Sequence, residues 1–339
     1  MNQTKHNRFS LRRALILLAV SVLVGPNTLV CQESIWKLIF PPSQRTDAGR
    51  IYDSYFKRMM LFGGFTDGRA CDDTWFFENG KWTRFWSDPT ITLPTARGRF
   101  AMCYNLTSRE AILFGGFSHG VLFDETWLFK NRWWIKAPLN GKDKPSAREG
   151  AAIAFSSHGS DVILFGGKST SGFENDTWKY KSLVWTKLNT TNAPPARWRH
   201  GLVYDPVNRE FVLYGGQSAA NLNDTWILKG TTWTKISGSG PGARDTFGMV
   251  FDSKNQRILL YGGAKKDKPK GDTWEFKNRA WKKITESGPS ARAGAAMAYD
   301  PDKAQALLYG GWRGTWLLQP DTVSNSTKAV LETVAGTRR

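Results

Sequence analysis

Cysteine and histidine are scarce in this chain: three Cys and four His in 339 residues. Three Cys exclude a disulfide-built scaffold and a paired CxxC zinc or redox site. His6, His119, His158 and His200 are too scattered for a His-rich metal centre. Long apolar runs are missing too. The stretch Ala14–Val24 has 11 residues, well short of the ~20 that a membrane-spanning helix needs. Acids are outnumbered, with 29 Asp+Glu against 47 Lys+Arg and a net charge of +18. What is plentiful is Gly (33), Phe (20) and Trp (16), and an aromatic fraction of 13% excludes a disordered chain.

The N-terminus reads as a targeting segment. Lys5, Arg8, Arg12 and Arg13 precede the apolar stretch, and Gly25-Pro26-Asn27 follow it. A basic n-region, a short apolar core and turn-forming residues predict a signal peptide over residues 1–31 and a secreted, periplasmic or cell-envelope protein. An uncleaved anchor and a lipid on Cys31 are the alternatives. The residues Thr28-Leu29-Val30 fit a lipobox poorly, because a small residue should precede the Cys. Cleavage would remove four cations and no acids, leaving +14. Cys71 and Cys103 would then remain. Cys103 stands where other repeats place Ala, Val or Ile, which predicts a buried free thiol, and a disulfide between the two is the other option.

The dominant feature is internal repetition. Apolar runs end in Gly-Gly at Gly63, Gly115, Gly166, Gly215, Gly262 and Gly310, at spacings of 52, 51, 49, 47 and 48. An Arg stands 18 residues before each: Arg45, Arg97, Arg148, Arg197, Arg244 and Arg292. A Trp follows each Gly pair, usually in Asp-Thr-Trp, at Trp75, Trp127, Trp178, Trp226, Trp274 and Trp316. Seven residues later a second Trp appears in five repeats, at Trp82, Trp134, Trp185, Trp233 and Trp281. The sixth repeat lacks it, and Ile35-Trp36-Lys37-Leu38 supplies the match from the other end of the chain.

Each unit reads as four short strands, A to D, because aromatic and β-branched runs alternate with Gly, Pro, Asn and Asp. Antiparallel four-stranded sheets repeated radially make a β-propeller. The Gly-Gly doublet, the Trp pair seven apart and the Arg before strand A resemble the kelch repeat family over residues 33–318. The resemblance implies an all-β, six-bladed kelch propeller whose last blade is closed by an N-terminal strand. Residues 319–339 form a tail expected to be poorly ordered. The Asp-Thr-Trp wording looks most like bacterial secreted kelch-repeat proteins.

The six repeat Arg are read as structural. Five repeats carry an acid before Thr-Trp (Asp73, Glu125, Asp176, Asp224, Asp272), which suggests Arg–carboxylate pairing. Arg84, Lys136, Lys187, Lys235 and Lys283, two residues past the second Trp, protect outer edge strands. With the C–D turn cations they predict a basic rim.

A ligand is expected on the face carrying the B–C and D–A loops. The residues two and three past each repeat Arg should face the axis: Asp47/Ala48, Arg99/Phe100, Gly150/Ala151, Arg199/His200, Thr246/Phe247 and Gly294/Ala295. Arg99, Arg199 and His200 are candidate ligand contacts, together with Phe65, Phe117, Lys168, Gln217 and Trp312 just after the Gly pairs. The resemblance implies that such Arg bind acidic ligands.

The leading reading is therefore a monomeric binding module for a protein or glycan, acidic in character, without cofactor or metal. Nucleic acid is not expected, because no recognition motif is present. A sialate-mutarotase-like enzyme is the first alternative, with Glu149, Glu174 or Asp47 as its base. A structural envelope component holding anionic polymers on the basic rim is the second. A copper radical oxidase is disfavoured by the few His and the absence of a Tyr-rich cluster.

Overall fold

The computed structural model describes residues 42–86, 90–285, 289–311 and 315–318. The expected signal peptide, closing strand, C-terminal tail and Trp312 lie outside these residues. No described helix is long and apolar enough to cross a membrane.

Repeats one to five each fold as an antiparallel A-B-C-D sheet. In the first, strand A is Gly49–Asp53, B is Arg58–Phe62, C is Thr74–Glu78 and D is Lys81–Arg84. The A strands that follow are Ala101–Asn105, Ala152–Phe155, Gly201–Asp205, Gly248–Asp252 and Ala295–Asp300. They stand side by side around one axis, the sixth beside the first. The described residues hold five four-stranded blades rather than the six expected. The sixth sheet has three strands among the described residues, Ala295–Asp300, Gln305–Gly310 and Thr315–Leu318. Strand B of each repeat is almost wholly buried, since both its faces meet neighbouring blades.

The conserved spacing of Arg and Gly-Gly has a mechanical cause. In every repeat Arg Nη1 donates to the carbonyl of the first Gly, as from Arg148 to Gly166 at 2.9 Å and from Arg197 to Gly215 at 3.0 Å. The second Gly then donates its N–H to the carbonyl of the next repeat's Arg, as from Gly167 to Arg197 at 2.9 Å. That carbonyl lies where a side chain on the first Gly would go: a Cβ on Gly166 would sit 2.6 Å from it. The Gly pair is thus a blade-to-blade joint. Gly311 donates to Arg45 in the same way at 3.1 Å, linking the sixth sheet to the first.

The guanidinium also grips the acid before Thr-Trp. Arg148 holds Asp176 with two bonds (2.5 and 2.9 Å), Arg197 holds Asp224 (2.6 and 2.8 Å) and Arg97 holds Glu125 (2.7 Å). The same acids accept the indole N–H of the following Trp, as from Trp178 at 2.7 Å. Burial raises the carboxyl pKa of Glu125 and Asp272, but their cations and indoles more than offset it and hold both down at about 2. Arg292 of the sixth repeat bonds to Ser290 and to the Gly310 carbonyl.

The second Trp staples neighbouring blades. Trp134 donates to Thr74, Trp185 to Thr126, Trp233 to Thr177 and Trp281 to Thr225, at 2.9 to 3.1 Å. The Thr of each Asp-Thr-Trp is therefore the acceptor for the next blade's indole. Trp134, Trp185 and Trp233 are fully buried, and truncating such a residue to Ala costs about 3–5 kcal/mol. Cys103 is buried in the core and Cys71 half-exposed, and both are free thiols.

Candidate functional site

The chain enters each A strand through a residue in the left-handed region. These residues are Asp47, Arg99, Gly150, Arg199, Thr246 and Gly294, with φ between 50° and 68°. Each donates its N–H to the carbonyl of its counterpart in the preceding repeat. Arg99 bonds to Asp47, Gly150 to Arg99, Arg199 to Gly150, Thr246 to Arg199, Gly294 to Thr246, and Asp47 to Gly294, at 2.7 to 3.2 Å. The circuit is closed and encircles the axis. Glycine supplies only two of the six positions, so four carry a side chain in a conformation that costs about 1 kcal/mol or more.

The circuit rims a cavity of about 140 Å³. Its lining is formed by the circuit residues and the next residue of each repeat, Ala48, Phe100, Ala151, His200, Phe247 and Ala295. These are the twelve positions expected to face the axis. In repeats one to five the residue preceding the circuit residue is tied to the B–C loop, as Glu149 is to Lys168 and Trp198 to Gln217. The B–C loops therefore stand around the same mouth.

Arg99 lines the cavity with its guanidinium already paired. Its Nε lies 3.3 Å from Asp47 and its Nη1 3.0 Å from Glu149, so two carboxylates from flanking repeats satisfy it. Phe65 and Phe117 flank its guanidinium at 5.3 and 5.7 Å. Phe65 also fills the space above Gly98. This part of the mouth is a packed, paired cluster. It brings Asp47 and Glu149, both candidate bases, onto one Arg, while Glu174 accepts from Ser169 in its own B–C loop.

Arg199 is different. Its guanidinium lies over the Trp198 ring at 3.9 Å, and no described residue gives it a hydrogen bond or ion pair. Lys168 Nζ lies 5.3 Å from the same ring. Burial and the nearby Arg99 charge lower the Arg199 pKa against the pull of Asp47. His200 is 8% exposed and packs edge-on against Phe165. Burial, then the Arg197 charge, depresses its pKa to about 3, so the imidazole is neutral. Two consecutive residues thus carry buried nitrogens without partners, Trp198 Nε1 and Arg199 Nε. Native proteins rarely leave such groups unsatisfied.

Two features escaped the sequence reading. Trp198 is a site residue, and the signal was present: its position holds Thr46, Gly98, Glu149, Asp245 and Ala293 elsewhere, so a Trp there is exceptional. Asp245 also borders the mouth, with its pKa raised by burial and its carboxylate held by Asn221 and Thr246. Gln217 contributes backbone bonds to Trp198. No group of three or more His, Cys, Asp or Glu that could hold a metal occurs among the described residues.

Comparison with known proteins agrees with this architecture. Residues 31–192 and 154–327 match the KLHDC2/KLHL20/DRC7 Kelch-repeats domain. A 140-residue stretch is 32% identical to tRNA wybutosine-synthesizing protein 4 of Aspergillus fumigatus, covering 38% of this chain and only 13% of that protein. With repeats, joints and family model in agreement over nearly all its length, the chain belongs to the Kelch-repeat family.

Proposed function

We propose that this protein is an exported, non-catalytic binding module that takes a carboxylate-bearing ligand, an acidic peptide or an acidic sugar, at the axial mouth. The Kelch propeller suits a protein-interaction scaffold. The observation that carries the ligand class is the Trp198-Arg199-His200 run. It offers an unpaired guanidinium on an aromatic platform, with Lys168 beside it and buried nitrogens lacking partners. A carboxylate facing Arg199 would gain charge-assisted bonds in a partly dehydrated setting. The test is calorimetric titration of the protein with N-acetylneuraminate, glucuronate and a polyglutamate peptide in 0.1 and 0.5 M salt. Arg199→Ala should weaken binding of the preferred probe at least tenfold. Unchanged affinity in that variant would sink the reading.

We read residues 33–40 as the fourth strand of the sixth sheet. Thr273 is the one Thr-Trp threonine of repeats one to five to which no described indole donates, and Trp36 carries the repeat's Trp motif. Deleting 33–40 should lower the melting temperature strongly, and an unchanged value would refute the closure.

A further inference from the structure

The opposite end of the ring carries the A–B and C–D turns, and its surface chemistry differs from that of the mouth. Across these turns and the strand ends flanking the C–D turns, eleven exposed cations face two exposed acids, Glu78 and Asp302. The acids at the ends of strand A are buried and consumed locally: Asp53, Asp205, Asp252 and Asp300 accept N–H groups of their own turns. Glu110 and Glu210 are buried and take Lys130 and Arg279. Arg109, Arg132, Arg209, Lys229 and Lys254 are exposed with no described acid within bridging distance. On the B–C loops the exposed balance is five cations to three acids.

Large apolar side chains project from the same basic end. Tyr55 (54% exposed) and Phe56 lie on the first A–B turn, Leu106 (50%) on the second and Val207 (54%) on the fourth, with Trp133 (42%) beside the second C–D turn. Turn tips without a functional reason to be apolar are polar, as Ser253-Lys254-Asn255 is in repeat five. The Arg109 guanidinium lies 4.8 Å over the Tyr55 ring, and Arg132 directly precedes Trp133. The turns brace one another, since Thr107 and Ser160 of adjacent A–B turns share a hydrogen bond at 2.8 Å.

We propose that this end of the propeller docks on an anionic lipid bilayer, with Tyr55, Phe56, Leu106 and Trp133 entering the headgroup region and the cations meeting phosphate groups. A protein partner would be matched by a clustered apolar centre with a polar rim. Here four of the five apolar groups sit on the turns of the adjacent repeats one and two, to one side of this end, while the charge extends over the turns of all six repeats. That distribution fits a plane of negative charge, and amphipathic aromatics beside Arg are the side chains that favour a membrane–water interface. Each cation near such a surface adds to the attraction.

The test is flotation of the full chain with vesicles of phosphatidylcholine alone or with 30% phosphatidylglycerol (~30%, chosen to give a strongly anionic surface). The Ala14–Val24 stretch is common to all variants, so differences between variants are the readout. Arg109→Glu with Arg132→Glu should reduce retention on anionic vesicles at least tenfold. Tyr55→Ser with Trp133→Ser should reduce retention that persists in high salt, where headgroup attraction is screened. Lys265→Glu with Lys268→Glu, on the opposite face, should leave retention unchanged. All these side chains are exposed, and unaltered melting of each variant confirms its fold. Equal retention on neutral vesicles, indifference to both pairs of substitutions, or equal capture by soluble polyglutamate with the aromatic variant harmless would each overturn the proposal.

Discussion

Arg99 and Arg199 hold the same place in their repeats, at φ of 56° and 54°, and both belong to the backbone circuit around the axis. Around Arg99 the neighbouring repeats present Asp47 and Glu149, and its charge is consumed. Around Arg199 the corresponding positions hold Gly150 and Asp245; Asp245 is taken up by Asn221 and Thr246, and the guanidinium rests on Trp198 instead. The backbone fixes where a circuit side chain begins. The residues one repeat away on either side decide whether its charge is free. A repeat fold can thus build a paired, packed sector and an open cationic sector from the same local geometry.

The largest effect separates the circuit Arg from the repeat Arg two residues before it. Arg197 is fully buried and bonded to Gly215 and Asp224. Arg197→Ala would leave Asp224 partly buried without its cation and should cost about 3–5 kcal/mol in chemical denaturation. Arg199→Ala breaks no hydrogen bond and should change stability by less than about 1 kcal/mol. Comparable losses in the two variants would show that Arg199 is a structural group.

The next effect concerns His200, which lines the cationic sector. Its folded pKa of about 3 lies below the unfolded value near 6.5, so between the two the unfolded state binds the extra proton. Stability should therefore fall as pH drops from about 6.5 towards 3, by up to ~1.4 kcal/mol per pH unit. His200→Phe should flatten the slope by one proton in that window. An identical slope in the variant would mean that His200 is already protonated and partnered in the folded protein.

These distinctions mark what a single sequence discloses. The six-fold unit, the axial positions and the Arg–acid pairing were legible because their offsets are constant, as with the 18 residues from each Arg to its Gly pair. The pairing of Arg99 with Glu149 was not, since that carboxylate comes from a position 50 residues away and one residue before the next axial pair. The circuit was hidden for another reason. Asp, Arg, Gly, Arg, Thr and Gly share no side-chain chemistry, and only the backbone conformation unites them. The Thr of Asp-Thr-Trp was visible as a repeat, but its role as indole acceptor depends on how adjacent blades pack.

Converting the paired sector into the open one is the third way to sharpen the contrast. Asp47→Asn with Glu149→Gln keeps the shapes around Arg99 and removes both negative charges. Arg99 then keeps amide acceptors but carries a positive charge no carboxylate offsets, and affinity for the anionic probe should rise about tenfold, the scale of one charge-assisted bond. An unchanged affinity would mean that the first sector does not reach the ligand.

The smallest effect is also the most discriminating between a binding role and a folding role. Arg199 occupies a left-handed conformation that glycine adopts without penalty, and glycine already stands at the equivalent Gly150 and Gly294. Arg199→Gly retains the backbone N–H and carbonyl that complete the circuit. It relieves the strain of a side chain at φ 54° and forfeits no side-chain hydrogen bond. The greater freedom of glycine in the unfolded chain offsets part of that gain. The variant should therefore match or exceed the parent stability, by up to about 1 kcal/mol, while losing the anionic probe. A residue kept in an unfavourable conformation, at a position where the fold itself accepts glycine, is held there by what its side chain does. If Arg199→Gly destabilised the protein while binding persisted, Arg199 would have to be moved into the structural class with Arg197.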